Sequence, residues 1–222
     1  MSHGNSKVIT SPQSGPHERL LELVVRYQNQ SHQRPVPQHT QTSFQAAIHW
    51  LGEHNGALIL DAGCGTGLST AYLALQSPEA KVIGLDRSQA RLNKHQPVEA
   101  DNYLLVRADA RDFWVLCREV GLRVERLYLL YPNPYPKPTQ LQRRWHGNPA
   151  MADIMAISNS VEVRSNWKTY CEEFALACAQ YGWRSELTRV ADSSSVSLFE
   201  KKYLESGQAC WRVDCCSVNP SL

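Results

Sequence analysis

The sequence predicts a doubly wound α/β fold: a mostly parallel Rossmann-like sheet with helices on both faces and antiparallel closing strands. Three observations predict it. From residue 57 onward, short apolar runs alternate repeatedly with helical patterns, as strand–helix–strand units do. ALILDA is a continuous apolar run, and the strand segments KVIGLD and ERLYLLY place apolar residues on both faces, as in parallel strands covered on both sides. The first run ends in a glycine-rich turn, DAGCGTG, ahead of a helical pattern, and right-handed crossovers then set the winding.

Composition bounds the function. The 222 residues carry 23 Lys plus Arg against 21 Asp plus Glu, a formal charge of +2. That balance excludes a globally basic nucleic-acid coat, so any such surface must come from local clustering. The length suits one domain that buries its core without staples. No apolar stretch approaches a bilayer span, and the opening MSHGNSKVITSPQSGPHE is too polar for a secretory signal. Cys64, Cys117, Cys171, Cys178, Cys210, Cys215 and Cys216 form no C-x-x-C pair. They predict reduced thiols in the cytoplasm, with Cys171 and Cys178 in the core. The scattered histidines show no metal-ligand spacing, so no metal is expected, and His39 and His49 read as surface or helix residues. Monomer and homodimer stay equally open.

In chain order, residues 1–17 are rich in Ser, Gly, Pro and Asn and read as a disordered tail. Residues 18–56 form an N-terminal helical segment: an amphipathic helix over ERLLELVVRYQ, a proline-bearing loop, and a second helix capped by Thr42 or Ser43. The main domain spans 57–222. Its strands at 57–62, 81–86, 103–110 and 125–131 are each followed by a helix or, after the last, by the rigid turn PNPYPKP. Next come a helix over NPAMADIMAIS, a fifth strand at 160–165, and a helix over NWKTYCEEFALACAQYG. GWRSELTRV and ACWRVDCCSV alternate and read as the closing strands.

The acids point to a cofactor. Asp61 precedes Gly63, Gly65 and Gly67, and Asp86 and Asp109 end the next two strands. Glycines let the backbone approach a ligand, and open α/β sheets bind ligands at the carboxyl ends of their strands. A G-x-G-x-G run also serves dinucleotides. Three carboxylates, however, suit a cationic sulfonium bearing a nucleoside better than a phosphate. Asp86 would accept the ribose hydroxyls, Asp109 would serve the adenine amine, and Asp61 would face the ammonium end. A plainer reading makes Asp61 and Asp109 caps of the following helices. This pattern resembles the class I S-adenosylmethionine-dependent methyltransferases over about residues 57–165.

The fourth strand leads into Pro132, Asn133, Pro134, Tyr135, Pro136 and Lys137, then QLQRRWHGNP. Basic side chains interleaved with aromatics suit phosphate contact and base stacking. With SNWKTY (165–170) and SLFEKKYLESGQACW (197–211), this order resembles the tRNA (guanine-N7)-methyltransferase family over about residues 57–212. The resemblance implies S-adenosyl-L-methionine as cofactor and tRNA as partner. It gives Asp61, Gly63, Gly65, Asp86, Asp109 and Asn133 to the cofactor, with Asn133 as the catalytic residue. Lys137, Arg143 and Arg144 would take phosphates, while Asn166, Ser197 and Glu200 close the substrate pocket. Three departures stand out. Asn133 and Asn166 stand where the family carries Asp, and Tyr135 where it carries Trp. Asn-Pro-Tyr-Pro also suggests transfer to an exocyclic amine. The same residues admit a methyltransferase of unrelated substrate or a catalytically silent homologue. Blander readings make Arg143 and Arg144 a solvated face, Trp145 and Trp167 packing residues, and Glu200 a surface partner of Lys201 or Arg212.

Overall fold

The computed structural model describes residues 6–30, 34–191 and 195–218. Seven strands form one sheet: β1 (Leu58–Ala62), β2 (Lys81–Asp86), β3 (Tyr103–Arg107), β4 (Val124–Leu130), β5 (Ser158–Ser165), β6 (Arg184–Arg189) and β7 (Trp211–Cys216). Their order is β3-β2-β1-β4-β5-β7-β6. Strands β1 to β5 pair in parallel, and β7 runs antiparallel to both β5 and β6. The winding reverses between β1 and β4, so the crevice for a ligand opens at their carboxyl ends. The glycine turn follows β1 and the proline turn follows β4, so both border it.

The helices are α1 (Leu20–Tyr27), α2 (Gln38–Leu51), α3 (Leu68–Gln76), α4 (Gln89–Leu92), α5 (Ala110–Glu119), α6 (Ala150–Ile157), α7 (Lys168–Gln180) and α8 (Leu198–Glu205). The main core lies on one face of the sheet. There Leu60, Leu85, Leu127, Leu129 and Val163 meet Phe44, Phe113, Trp114, Ile154 and Phe174. The opposite face has only a small cluster of Ile59, Leu73, Ala74, Ala80 and Val82 beneath α3.

The coverage is thus unequal. Beyond β1 and β2, the second face carries Arg126 ion-paired to Glu162 and Asp214, and Arg164 paired to Glu162. Apolar burial on both faces, expected of all strands, holds only where α3 lies. The helix expected over SQARLNKH shrinks to one turn, capped by Ser88. The second helix starts not at Thr42 or Ser43 but at Gln38, where extended Pro37 ends the loop.

Residues 6–17 also depart from expectation. Ser11 Oγ donates to the Pro136 carbonyl at 2.6 Å, Gln13 Nε2 donates to Glu173 at 2.6 Å, and the His17 amide donates to Glu173 at 2.9 Å. A tail judged by composition lacks apolar anchors; these side chains instead satisfy buried polar partners. The start of the expected tail, residues 1–5, lies outside the described residues.

Candidate active site

The glycine turn is built by positive backbone angles. Gly63, Gly65 and Gly67 have φ of 85°, 62° and 77°, which cost other residues roughly 1–2 kcal/mol each. The Gly63 and Cys64 amides both donate to the Leu85 carbonyl, at 2.7 and 3.0 Å, lashing the turn to β2. Asp86, 6% exposed, accepts from Gly65 N at 3.0 Å, Ser88 N at 2.8 Å and Arg91 Nη1 at 3.1 Å. A carboxylate offers about four acceptor positions, so one stays open beyond these three.

Asp61 sits deeper, 1% exposed, and accepts from Ser69 Oγ at 2.6 Å and Thr70 Oγ1 at 2.8 Å. It ties the end of β1 to the start of α3, and burial raises its pKa against those two bonds. Asp109 is the N-cap of α5, accepting from the Arg111 amide at 3.0 Å. The plainer capping reading therefore holds for Asp109 but not for Asp61, which bonds two hydroxyls of α3 while Gly67 takes the N-cap position. Beside Asp109 lies a cleft of about 210 Å³ lined by Arg34, Arg87, Arg107 and Asp112 among others. Arg34 Nη2 is 2.7 Å from Asp112 and 3.8 Å from Asp109, and Arg87 lies 3.5 Å from Asp109. These arginines come from separate stretches of chain, and no spacing in the sequence joins them.

The proline turn is strained. Tyr131 and Tyr135 have φ of 54° and 45°, the left-handed region bulky residues avoid. Such a conformation persists only when its surroundings enforce it, and here Arg144 does so. Its guanidinium donates to the Tyr135 carbonyl at 3.0 Å and the Lys137 carbonyl at 3.4 Å, while ion-paired to Glu173. It also lies 4.8 Å from the Trp167 ring. His146 Nε2 stands 2.8 Å from the same Glu173 carboxylate. Burial pushes Glu173 up, but bonding and charge from His146 and Arg144 outweigh it and hold the pKa at about 2. Burial lowers His146 below its ordinary value.

This corrects one expectation: Arg144 is 0% exposed and cannot reach a phosphate. It orders the turn from within. Arg143 is exposed, its guanidinium 5.8 Å from the Tyr135 ring, and Asn133 and Lys137 are exposed on the same turn.

Glu200 is likewise fully buried. It accepts from Tyr131 Oη at 2.6 Å, from Arg164 Nη1 at 3.0 Å and from the Val196 amide at 2.9 Å. Its partner is Arg164, not Lys201 or Arg212, and it braces the first residue of the proline turn rather than lining an open pocket. Ser197 caps α8, accepting from the Glu200 amide at 3.2 Å. Asn166 Nδ2 donates to Gln208 Oε1 at 2.9 Å. Trp167 packs in the core and Trp145 lies half-buried against it. All seven cysteines are free.

Among the described residues, no cluster of three or more His, Cys, Asp or Glu could hold a metal, and no helix is long and apolar enough to cross a membrane. The glycine cradle tests the fit of a cofactor directly. A Cβ built on Gly63 or Gly65 would meet nothing within 4 Å, so the bare backbone faces open space beside Asp86. A nucleoside with a cationic amino-acid tail suits that space, and the fold and site together define a class I S-adenosylmethionine-dependent methyltransferase.

Comparison with known proteins agrees. Residues 55–213 match the family model Methyltransf_4, described as "Putative methyltransferase", and the chain belongs to that family. It is 23% identical over 168 residues to the tRNA (guanine-N(7)-)-methyltransferase of Streptococcus sanguinis, covering 70% of this chain and 78% of that one. The protein of that name from Lachnoclostridium phytofermentans is 28% identical over 100 residues, 43% of this chain and 46% of its own. The chain spans less than half the length of the first curated relatives it matches, 32% and 46%. Among solved structures, the 16S rRNA (adenine(1408)-N(1))-methyltransferase of Catenulisporales acidiphilia, with cosubstrate SAM, superposes at a TM-score of 0.56. It shares 16% identity over 78% of this chain and 92% of that one.

Proposed function

We propose that the protein transfers the methyl group of S-adenosylmethionine to N7 of a guanine in tRNA. The observation that carries this reading is the proline turn, held in left-handed geometry at Tyr131 and Tyr135 and bordering the glycine cradle across the β1–β4 crevice. The turn offers Asn133, Lys137 and Arg143 to solvent. The names carried by two relatives support the choice of substrate.

When bound, the cofactor supplies an electrophilic methyl on a sulfonium. The chain's part is to hold and align. Gly63 and Gly65 leave the cradle bare, Asp86 takes a ribose hydroxyl, Asp109 serves the adenine side, and Asp61 backs the ammonium end. Guanine N7 has an in-plane lone pair, so accepting a methyl from the bound cofactor, with the sulfonium leaving as a neutral thioether, would require no proton to leave. Approach and electrostatics therefore suffice. The Asn133 carbonyl accepts a guanine N–H and sets the ring, and Lys137 and Arg143 take phosphates. Asn166 and Ser197 border the base, with Glu200 acting through Tyr131. Amides at 133 and 166 leave less negative charge near the sulfonium than carboxylates would. Such work belongs where tRNA is, in the cytoplasm.

The test is transfer of labelled methyl to an unmodified tRNA transcript, followed by nucleoside analysis, with 7-methylguanosine expected. A methylated exocyclic amine would move the reading to that chemistry. Cofactor binding without turnover, with turnover only in the Asn133→Asp/Asn166→Asp double variant, would make the natural chain a silent homologue.

A further inference from the structure

Helix α8 turns two large apolar side chains outward, Leu198 at 54% and Phe199 at 53% exposure. Phe199 is not isolated. Its ring lies 6.2 Å from Tyr203 at an interplanar angle of 26°, and Tyr203 lies 5.3 Å from Tyr131. Three rings thus run from the outer face of α8 to the residue that opens the proline turn. Lys202 is three residues past Phe199 and shares its helix face; it and Lys201 are exposed. The exposed acid of this helix, Glu205, lies 4.0 Å from Lys201, whereas Glu200 points inward to Arg164. Across the turn, Lys137 and Arg143 are exposed as well.

An exposed aromatic flanked by cations, at the edge where a nucleic acid would enter, matches the chemistry of base stacking with phosphate contact. We propose that Phe199 is a stacking platform for an unpaired base of the RNA flanking the methyl acceptor, with Lys202 on the adjoining phosphate. The inference rests on the RNA reading above and deepens it: the substrate must present a splayed, single-stranded base beside its target. The charge around the ring favours RNA over an apolar protein partner, which would gain nothing from two lysines.

In the full chain, Phe199→Ala should weaken binding of an unmodified tRNA transcript roughly tenfold, and Phe199→Trp should restore it to within about twofold. Lys202→Ala should lower the salt slope of binding by about one. S-adenosylmethionine affinity by calorimetry and the melting temperature should not move, because Phe199 lies outside the core and the cradle. Equal tRNA affinity of Phe199→Ala and the unmutated chain would overturn the platform. So would sedimentation showing that Phe199→Ala instead dissolves a self-association. If the unmutated chain binds no tRNA while still binding S-adenosylmethionine, the RNA reading falls, and this inference with it.

Discussion

The two banks of the crevice are built on different principles. The glycine bank, from β1 to β3, is made by backbone: positive φ at three glycines, amides lashed to a neighbouring carbonyl, and acids at or just past strand ends. The proline bank is made by buried charge. Arg144, Glu173 and His146 hold the proline turn from one side, while Glu200, Arg164 and Tyr131 hold it from the other. A backbone cradle tolerates loss of a single side chain. A buried ion network does not, because removing one member leaves the others charged and unmatched.

Variants can break that contrast, starting with the largest effect. Glu173→Ala should cost about 3–5 kcal/mol in denaturant melts, since Arg144 would remain buried without its counter-charge. It should also abolish transfer by releasing the turn, while cofactor affinity falls little. A loss below about 1 kcal/mol would mean that the turn is not held by charge. Gly65→Ala should do the reverse. Strain at a φ of 62° costs roughly 1–2 kcal/mol, and the added methyl enters the space assigned to the cofactor. S-adenosylmethionine binding by calorimetry should drop by at least about tenfold. Unchanged affinity would place the ligand elsewhere.

The third test sharpens the comparison through pH. His146 and Glu173 both have folded pKa values below their unfolded ones. Each therefore binds fewer protons when folded, so stability is full above the ordinary histidine value of 6.5 and falls as pH drops from there toward about 2. His146→Gln should flatten the decline in denaturant midpoints that sets in below pH 6.5. An unaltered slope would show that the trio does not titrate with folding. The smallest effect is expected at Arg143. Arg143→Ala should leave stability within about 0.5 kcal/mol but reduce the salt slope of tRNA binding by about one. The adjacent Arg144→Ala should behave oppositely, destabilising the fold with no specific change in that slope.

Adjacent arginines with opposite fates show where sequence reading stops. The glycine bank is legible because its signals are local. Strand, glycine turn, helix and terminal acid fall within one stretch, and each residue type has a conformational reason to be there. The turn's rigidity is legible from its prolines, but its left-handed tyrosines are not, since nothing local requires them. Arg143 and Arg144 read alike as basic residues beside a functional loop, yet one is exposed and the other is not. Residues 6–17 read as disordered for the same reason. Ser11 and Gln13 find partners 125 and 160 residues away.

Hydrophobic period and backbone freedom act over a few residues, so the winding of the sheet and the glycine turn were already written in the chain. Only the tertiary structure decided which charges face inward. That choice depends on which opposite charge the fold brings within hydrogen-bond reach, and the desolvation of a buried ion is offset only when such a partner arrives.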